Sequence, residues 1–479
     1  MGGEGRHLGG PRRRPALVRR QAAPGPADRP RAAPVAAPHA PVALGGGGRA
    51  PGPPGPLAPR RQRDPRPPRP RRPGRPRRVG PAAPGAPPAG RGGRRAVRIL
   101  QVIAGVADDW GGPSKVVHEL SRALAARGHE VEIVATDNAP GGTRLDVRRG
   151  VSLPQPGGYQ LRYHRCDLLR PPYLSVGHTA DVLRRARDFD VAHVHGLFNV
   201  PVTAAQAALR ARGVPYLVRA CGMLDPYSLE QRGRAKAAYL RLLERPNLEG
   251  AARIHVSTRF EAEGVRALGL RTPIAIAPQG VDPPPAAPAG RPHPRPYLLF
   301  LSRIAKKKGL SLLIDAFAEL AATQHGVDLV IVGPDELGHQ AEIAARVAAR
   351  GLSGRVVFPG MARGADKAGW FAHAEAFVLP SDDENFGVVV VEAVQQGAPV
   401  VVSDRVGLGD AVTDTGAGVV VPREVSAVVA ALGRVLERGR GSYADACAAM
   451  AARFRWEHAA ERIASIYAEV VAEASRRAG

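Results

Sequence analysis

At 479 residues the chain is longer than one hydrophobic core organises, so two domains of ordinary size are expected. Its net charge of +25 suggests a nucleic-acid binder until the charge is located: residues 1–95 hold 22 Arg and 3 acidic residues, while the rest runs 46 basic to 40 acidic. Three dispersed cysteines exclude a disulfide scaffold or a cysteine metal site, and no apolar run approaches the ~18 residues of a membrane span. With no compact apolar segment behind the early arginines to make a secretory signal, the expectation is a cytoplasmic protein, with peripheral contact to the cytoplasmic membrane face left open.

Residues 1–95 also hold 23 of the 47 prolines and no aromatic residue. Such a stretch cannot bury enough apolar surface to offset its ordering entropy and reads as a disordered Arg/Pro/Gly/Ala-rich tail. Without aromatic side chains among the arginines it offers bases nothing to stack on, so no specific nucleic-acid partner is expected.

Order begins at Val97–Ile103, a strand, followed by a loop with Gly111 and Gly112 and by apolar residues at helical spacing over Lys115–Arg127. His129–Ala135, Val191–His195, Val214–Arg219, Ile254–Ser257 and Pro273–Pro278 read as further strands. His193 and His195 flank Val194 and are expected on opposite faces of their strand. Residues 229–249 read as a basic helix carrying Arg232, Arg234, Lys236, Arg241 and Arg245, and Thr258 with Glu261 as a capping box. Strands alternating with helices imply a parallel sheet covered on both faces.

Residues 283–296 contain seven prolines and read as a linker. Beyond it the alternation resumes: strands Tyr297–Leu301, Asp328–Val332, Val356–Phe358, Ala376–Leu379 and Pro399–Val402, a helix over Leu310–Ala322 and an amphipathic helix over Trp456–Ala474. The expected organisation is a tail (1–95), a first Rossmann-like domain (96–282), the linker (283–296), a second such domain (297–455) and a C-terminal helix (456–479) packing back across the two. Ligands of doubly wound sheets gather at the carboxyl ends of the strands.

Two loops there carry chemistry. Arg303 to Lys308 can neutralise a diphosphate, Arg by bidentate contacts and Lys as a point charge. Glu384 and Glu392 bracket a segment that is a helix if this is a β-loop-α-β unit, although Val388–Val391 alone favour a strand.

The motifs Leu301-Ser-Arg-Ile-Ala-Lys-Lys-Lys-Gly309, Leu379-Pro-Ser-Asp-Asp-Glu-Asn-Phe-Gly387 with Glu392-Ala, and Gly397-Ala-Pro-Val-Val401 resemble the nucleotide-sugar domain of the family-4 retaining glycosyltransferases. In the first half Gly111-Gly-Pro-Ser-Lys115, His193-Val-His-Gly196 and Gly222-Met-Leu-Asp-Pro226 are similar to the same family. The resemblance implies the GT-B fold, an α/β architecture of two doubly wound Rossmann-like domains facing across a cleft. It implies a metal-independent hexosyltransferase with no cofactor, taking a nucleotide-diphosphate sugar as donor and a hydroxyl acceptor, such as a lipid-linked saccharide at the inner membrane surface in polysaccharide biosynthesis. Arg303 and Lys308 would hold the diphosphate, Glu384 the transferred sugar and Glu392 the ribose. Asn385, Phe386 and Gly387 would present backbone N–H groups, and Gly111 and Gly112 would close from the first domain. His195, Arg219 and Cys221 would face the acceptor. Cys221 departs from the His or Arg of many relatives, and Gln279 from their Asn. An epimerase or phosphorylase on the same fold, or a non-catalytic nucleotide-sugar binder, is the alternative.

Overall fold

The computed structural model describes residues 96–107, 110–225, 228–229 and 233–478. The tail expected over residues 1–95 lies outside them, as do Pro226 and Arg232 of the stretches above.

The first sheet starts with Arg98–Gly105 (β1) and Glu130–Thr136 (β2). A small antiparallel ribbon follows, Asn138–Ala139 (β3) with Thr143–Arg144 (β4). Ser152–Pro154 (β5), Gln160–His164 (β6), Val191–His195 (β7), Tyr216–Arg219 (β8), Arg253–Val256 (β9) and Ile274–Ile276 (β10) complete the sequence. The sheet has eight strands in the order β10-β9-β8-β7-β1-β2-β6-β5. All run parallel except the edge strand β5, which is antiparallel to β6 and departs from the purely parallel expectation. The basic segment is helical over Gly233–Tyr239 and Arg245–Glu249, with a π-helical turn at Leu240–Glu244 between them.

The second sheet is wholly parallel: Tyr297–Leu301 (β11), Asp328–Val332 (β12), Val356–Gly360 (β13), Ala376–Leu379 (β14), Val400–Ser403 (β15) and Gly418–Val421 (β16). Its order is β13-β12-β11-β14-β15-β16. All five residues of Tyr297-Leu-Leu-Phe-Leu301 are buried, as befits a central strand covered on both faces. Burying each Leu or Phe there contributes roughly 1.5–3 kcal/mol.

In both sheets the strand order reverses once, between β7 and β1 in the first and between β11 and β14 in the second. A crevice opens at such a point because the loops leaving the two strands diverge to opposite sides.

Val388–Gln395 forms a helix against its local propensity. Each β-branched residue costs roughly 0.5 kcal/mol or more relative to Ala there. Val390, Val391 and Val394 are fully or almost fully buried against β14 and β15, and their burial outweighs that cost.

The C-terminal helix, Trp456–Ala478, returns to the first sheet and runs slightly beyond its expected end. Trp456, Ile463, Ile466, Tyr467 and Val470 form one apolar stripe packed with Ile99, Val131 and Ile133. Its start is pinned where the chain first crosses between the sheets. Trp456 Nε1 donates to Asp282 Oδ1 at 2.6 Å, and the Val281 N–H to the Phe454 carbonyl at 2.7 Å. The two crossings thus lie side by side.

If this helix belongs to the core of the first sheet, Ile463→Ala should cost about 2–5 kcal/mol in urea unfolding. A loss under about 1 kcal/mol, the level of ordinary surface changes, would refute that role.

Candidate active site

At the reversal point of the second sheet, the loop after β11 carries Lys308 and the loop after β14 carries Glu384. Lys308 is 5% exposed, and its ammonium is paired with the Glu384 carboxylate. A lysine this deep requires an anion, and the pair satisfies that need from within the chain. The two loops meet only because residue 309 is glycine. It sits at φ +71°, and a Cβ there would fall 1.9 Å from the Pro380 carbonyl oxygen.

Beside this pair the Val388–Gln395 helix begins at Gly387 with no side-chain cap. The residues at its start, Gly387, Val388 and Val389, line a cavity of about 360 Å³ together with Glu384, Asn385 and Phe386. That positive end favours an anionic ligand. Past the helix start lies a second cavity, about 310 Å³, lined by Val388, Glu392 and Lys367. Lys367 Nζ donates to Glu392 Oε1 at 2.7 Å. Gly112 lines both cavities, whereas Gly111 lines neither. Arg303 is not gathered into the site with Lys308: its guanidinium pairs with Glu336 at 2.7 Å and lies half exposed.

The first sheet supplies the opposite wall. Arg219, at the end of β8, is buried and donates to Gln279 Oε1 at 2.5 Å. The longer Gln279 side chain, in place of the family's Asn, is what Arg219 reaches. Cys221 packs on the same guanidinium, Arg219 Nη1 to Sγ 3.5 Å. Burial raises the Cys221 thiol above its ordinary range, so it stays neutral, and its backbone is left-handed at φ +54°. Gly222 follows at φ +73°, where a Cβ would stand 2.0 Å from Asn385 Nδ2 of the other sheet's loop. A second link between the halves runs from Thr258 Oγ1 to the Asn385 carbonyl, 3.0 Å.

Two carboxylates that sequence reasoning did not place in the site support this wall. Glu261 is buried in the first cavity, accepting from the Gly222 N–H at 3.2 Å and the Ser257 N–H at 2.8 Å. The capping box is half formed: Thr258 Oγ1 accepts from the Glu261 N–H, while the Glu261 carboxylate divides between Ser257, before the cap, and the Cys221–Asp225 loop. Asp225 lies within hydrogen-bonding reach of Asn385 and is pushed up to about 7, first by burial.

His193 and His195 do not face opposite ways. Residues two apart on a strand share a face, and the rings stand 4.4 Å apart. Both belong to a buried chain of hydrogen bonds whose direction follows from one end. Burial holds His193 and His195 well below the ordinary imidazole range and His255 at about 3, so each is neutral with one N–H. His255 Nε2 lies 2.8 Å from the Ala277 carbonyl and must carry its proton. His255 Nδ1 then accepts from His193 Nε2–H at 3.1 Å, and His193 Nδ1 accepts from the Tyr467 hydroxyl at 2.8 Å. Gln101 Nε2 donates to Tyr467 at 3.2 Å, and Gln101 Oε1 accepts from His195 Nε2–H at 2.7 Å. His195 Nδ1 is left as a bare acceptor with no partner among the described residues. His195 lines a third cavity, about 630 Å³, at the reversal point of the first sheet between the ends of β1 and β7.

The Asp225 environment gives a stability prediction. Its folded pKa of about 7 lies above the ordinary 3.8, so between those values the folded chain holds a proton the unfolded chain has lost. Stability should therefore fall as pH rises through this window and level off above it. Melting temperatures across that range should show the decline in the parent, and a flatter profile in Asp225→Asn. Equal slopes in the two proteins would refute the assignment.

Comparison with known proteins bears on both halves. The family described as "Glycosyl transferases group 1" matches residues 286–454, and the "Glycosyl transferase 4-like domain" matches residues 111–280. A D-inositol 3-phosphate glycosyltransferase of Frankia alni is 31% identical over 399 residues, covering 77% of this chain and 96% of that protein. The phosphatidyl-myo-inositol mannosyltransferase of Mycobacterium leprae is 28% identical, over 76% of this chain and 95% of that protein. Among solved structures, sucrose-phosphate synthase from Thermosynechococcus elongatus superposes with a TM-score of 0.60 at 20% identity, covering 78% of this chain and 100% of that one. An Anabaena protein, HepE, in complex with UDP and glucose gives 0.57 at 18% identity, with coverage of 78% and 100%. Two sheets with crevices at their reversal points, and family matches over both, lead to one conclusion: the chain belongs to the family-4 glycosyltransferases and has their GT-B fold.

Proposed function

We propose that the protein is a retaining hexosyltransferase that uses a nucleotide-diphosphate sugar and delivers the sugar to a hydroxyl acceptor. The observation that carries this reading is one cavity lined by Glu384, which Lys308 pairs from behind, by the start of the Val388–Gln395 helix and by Arg219 from the opposite sheet. A diphosphate fits that convergence. It would take over the Lys308 ammonium and meet the free N–H groups at Val388 and Val389, while Glu384, released from the lysine, turns to the sugar hydroxyls. Glu392, held by Lys367 in the adjoining cavity, suits the ribose. Arg303 can join the phosphates by leaving Glu336, a half-exposed pair worth little to stability.

In the reaction the acceptor oxygen bonds to the anomeric carbon on the face that the diphosphate leaves. The carbon–oxygen bond to the diphosphate breaks, and the acceptor's proton passes to the departing phosphate oxygen. Positive potential for that leaving group comes from Lys308 and the helix start, so turnover should persist in EDTA. Arg219 and the neutral Cys221 thiol stand beside the reacting carbon, Arg219 held in place by Gln279. The names of the Frankia and Mycobacterium relatives support an acceptor hydroxyl of the inositol or lipid-linked kind as the family expectation.

Thermal shift with UDP-, GDP- and ADP-sugars tests the donor first: at 100 times its dissociation constant, the true donor adds ~2.7 kcal/mol of stability. Glu384→Ala should keep that shift and lose transfer by about 100-fold or more. Lys308→Ala should weaken donor binding by about 10- to 100-fold, the value of a charge-assisted contact. Unaltered turnover in Glu384→Ala would overturn the reading.

A further inference from the structure

The about 630 Å³ cavity at the β1/β7 reversal point is walled unlike a site for a polyhydroxylated ligand. Two aromatic pairs from four separate segments line it. Trp110 and Tyr173 meet edge to face at 6.1 Å, and Phe198 and Tyr239 stand 6.0 Å apart. Leu197 and Met223 add apolar surface between them.

Much of the polar chemistry in the wall is already spent on the protein. Asn199 caps the helix that follows it and donates to the Leu197 carbonyl, while Trp110 Nε1 donates to the Asn138 carbonyl. The Tyr239 hydroxyl meets Thr203. Lys236, a basic residue in the described wall, donates to the Ser228 carbonyl at 2.5 Å and hydroxyl at 3.0 Å, and covers the Phe198 ring. An inositol phosphate brings a dianion and several hydroxyls, each of which would lose water here for few partners. His195 differs from these groups: its Nδ1, a buried acceptor without a partner among the described residues, matches one hydroxyl donor.

The cavity adjoins the donor site: Pro113 lines both, and Met223 follows Gly222. We propose that this cavity takes an acceptor whose reacting hydroxyl is carried on an apolar, ring-containing body, an alicyclic alcohol or phenol, and that His195 Nδ1 accepts the hydrogen bond from that hydroxyl. The inference rests on the glycosyltransferase reading above and narrows its acceptor. It separates this chain from the inositol phosphate chemistry named for its relatives. Aromatic faces hold a flat apolar ring, and the bare nitrogen orients its one hydroxyl toward the sugar.

The test uses the full chain with UDP bound and compares 2-naphthol with myo-inositol 3-phosphate by equilibrium titration. The naphthol should bind at least about tenfold tighter, and Trp110→Ala and Phe198→Ala should each weaken it by about tenfold. Both variants should keep the donor-induced thermal shift, which certifies their fold. With the matching sugar donor, 2-naphthol should yield its glycoside, and His195→Ala should lower kcat for that product more than it changes donor KM. Tighter binding of the inositol phosphate, or no binding of 2-naphthol while the donor shift is intact, would overturn the acceptor claim and leave the donor reading standing. Loss of any nucleotide-sugar shift would instead overturn the donor reading itself.

Discussion

A lysine buried beneath the surface of a cleft needs a negative partner, and the design of the second sheet's ligand site follows from that need. Lys308 finds Glu384 because Gly309 lets two loops touch at Pro380. Under the proposed donor role, a ligand phosphate would take over the lysine and free the carboxylate, so the same residues would serve both arrangements. Removing either partner alone leaves the other charge uncompensated until a ligand charge replaces it.

What faces that pair is held by equally close contacts. Gly222, at φ +73° and without a Cβ, lets the Asn385 side chain pack directly on its backbone, and Thr258 binds the Asn385 carbonyl. Glu261 ties the Cys221–Asp225 loop to the end of β9, accepting from the Gly222 N–H with one carboxylate oxygen and from the Ser257 N–H with the other. These contacts join the Cys221–Asp225 loop of one sheet to the Asn385 loop of the other. The crossings at Val281 and Phe454 lie side by side, so the chain passes between the sheets twice at one place. A raised Asp225 pKa at this junction is the cost of burying a carboxyl near Glu261 and Asp383, offset in part by Asn385 and Lys307.

The alternation of strands and helices was legible because central strands of parallel sheets are continuous apolar runs, and Asp328–Val332 and Val191–His195 fall where the pattern puts them. Residues 136–190 were not, because β3 to β6 are short and lie toward or beyond a sheet edge where half-exposed residues blur the period. The valines at 388–391 mislead for a physical reason: propensity counts tenths of a kcal/mol per residue, and burial of three valines counts several. In the site, Lys308, Glu384 and Glu392 were marked by residue type at strand ends. Glu261 was marked only as a helix cap, and Asp225 only as part of a motif, because neither signals which loop it will hold. Arg303 shows the converse: a cation in the right loop still takes whichever carboxylate is nearest, here Glu336.

The histidines show how much a single terminal contact can decide. Nothing in the residues 193 and 195 themselves states which ring nitrogen carries a proton. The Ala277 carbonyl does, because a neutral His255 can satisfy it in one tautomer alone, and each successive partner inherits that choice through Tyr467 and Gln101. The far end of the chain is the unprotonated Nδ1 of His195, a residue that lines the cavity at the β1/β7 reversal point. Tyr467 belongs to the C-terminal helix, so the segment that ties the two halves together also sets the hydrogen-bonding polarity at His195. The chemistry of that cavity is therefore not a property of its lining alone. It is fixed by a helix that begins at the crossing between the sheets and reaches the site only through the core.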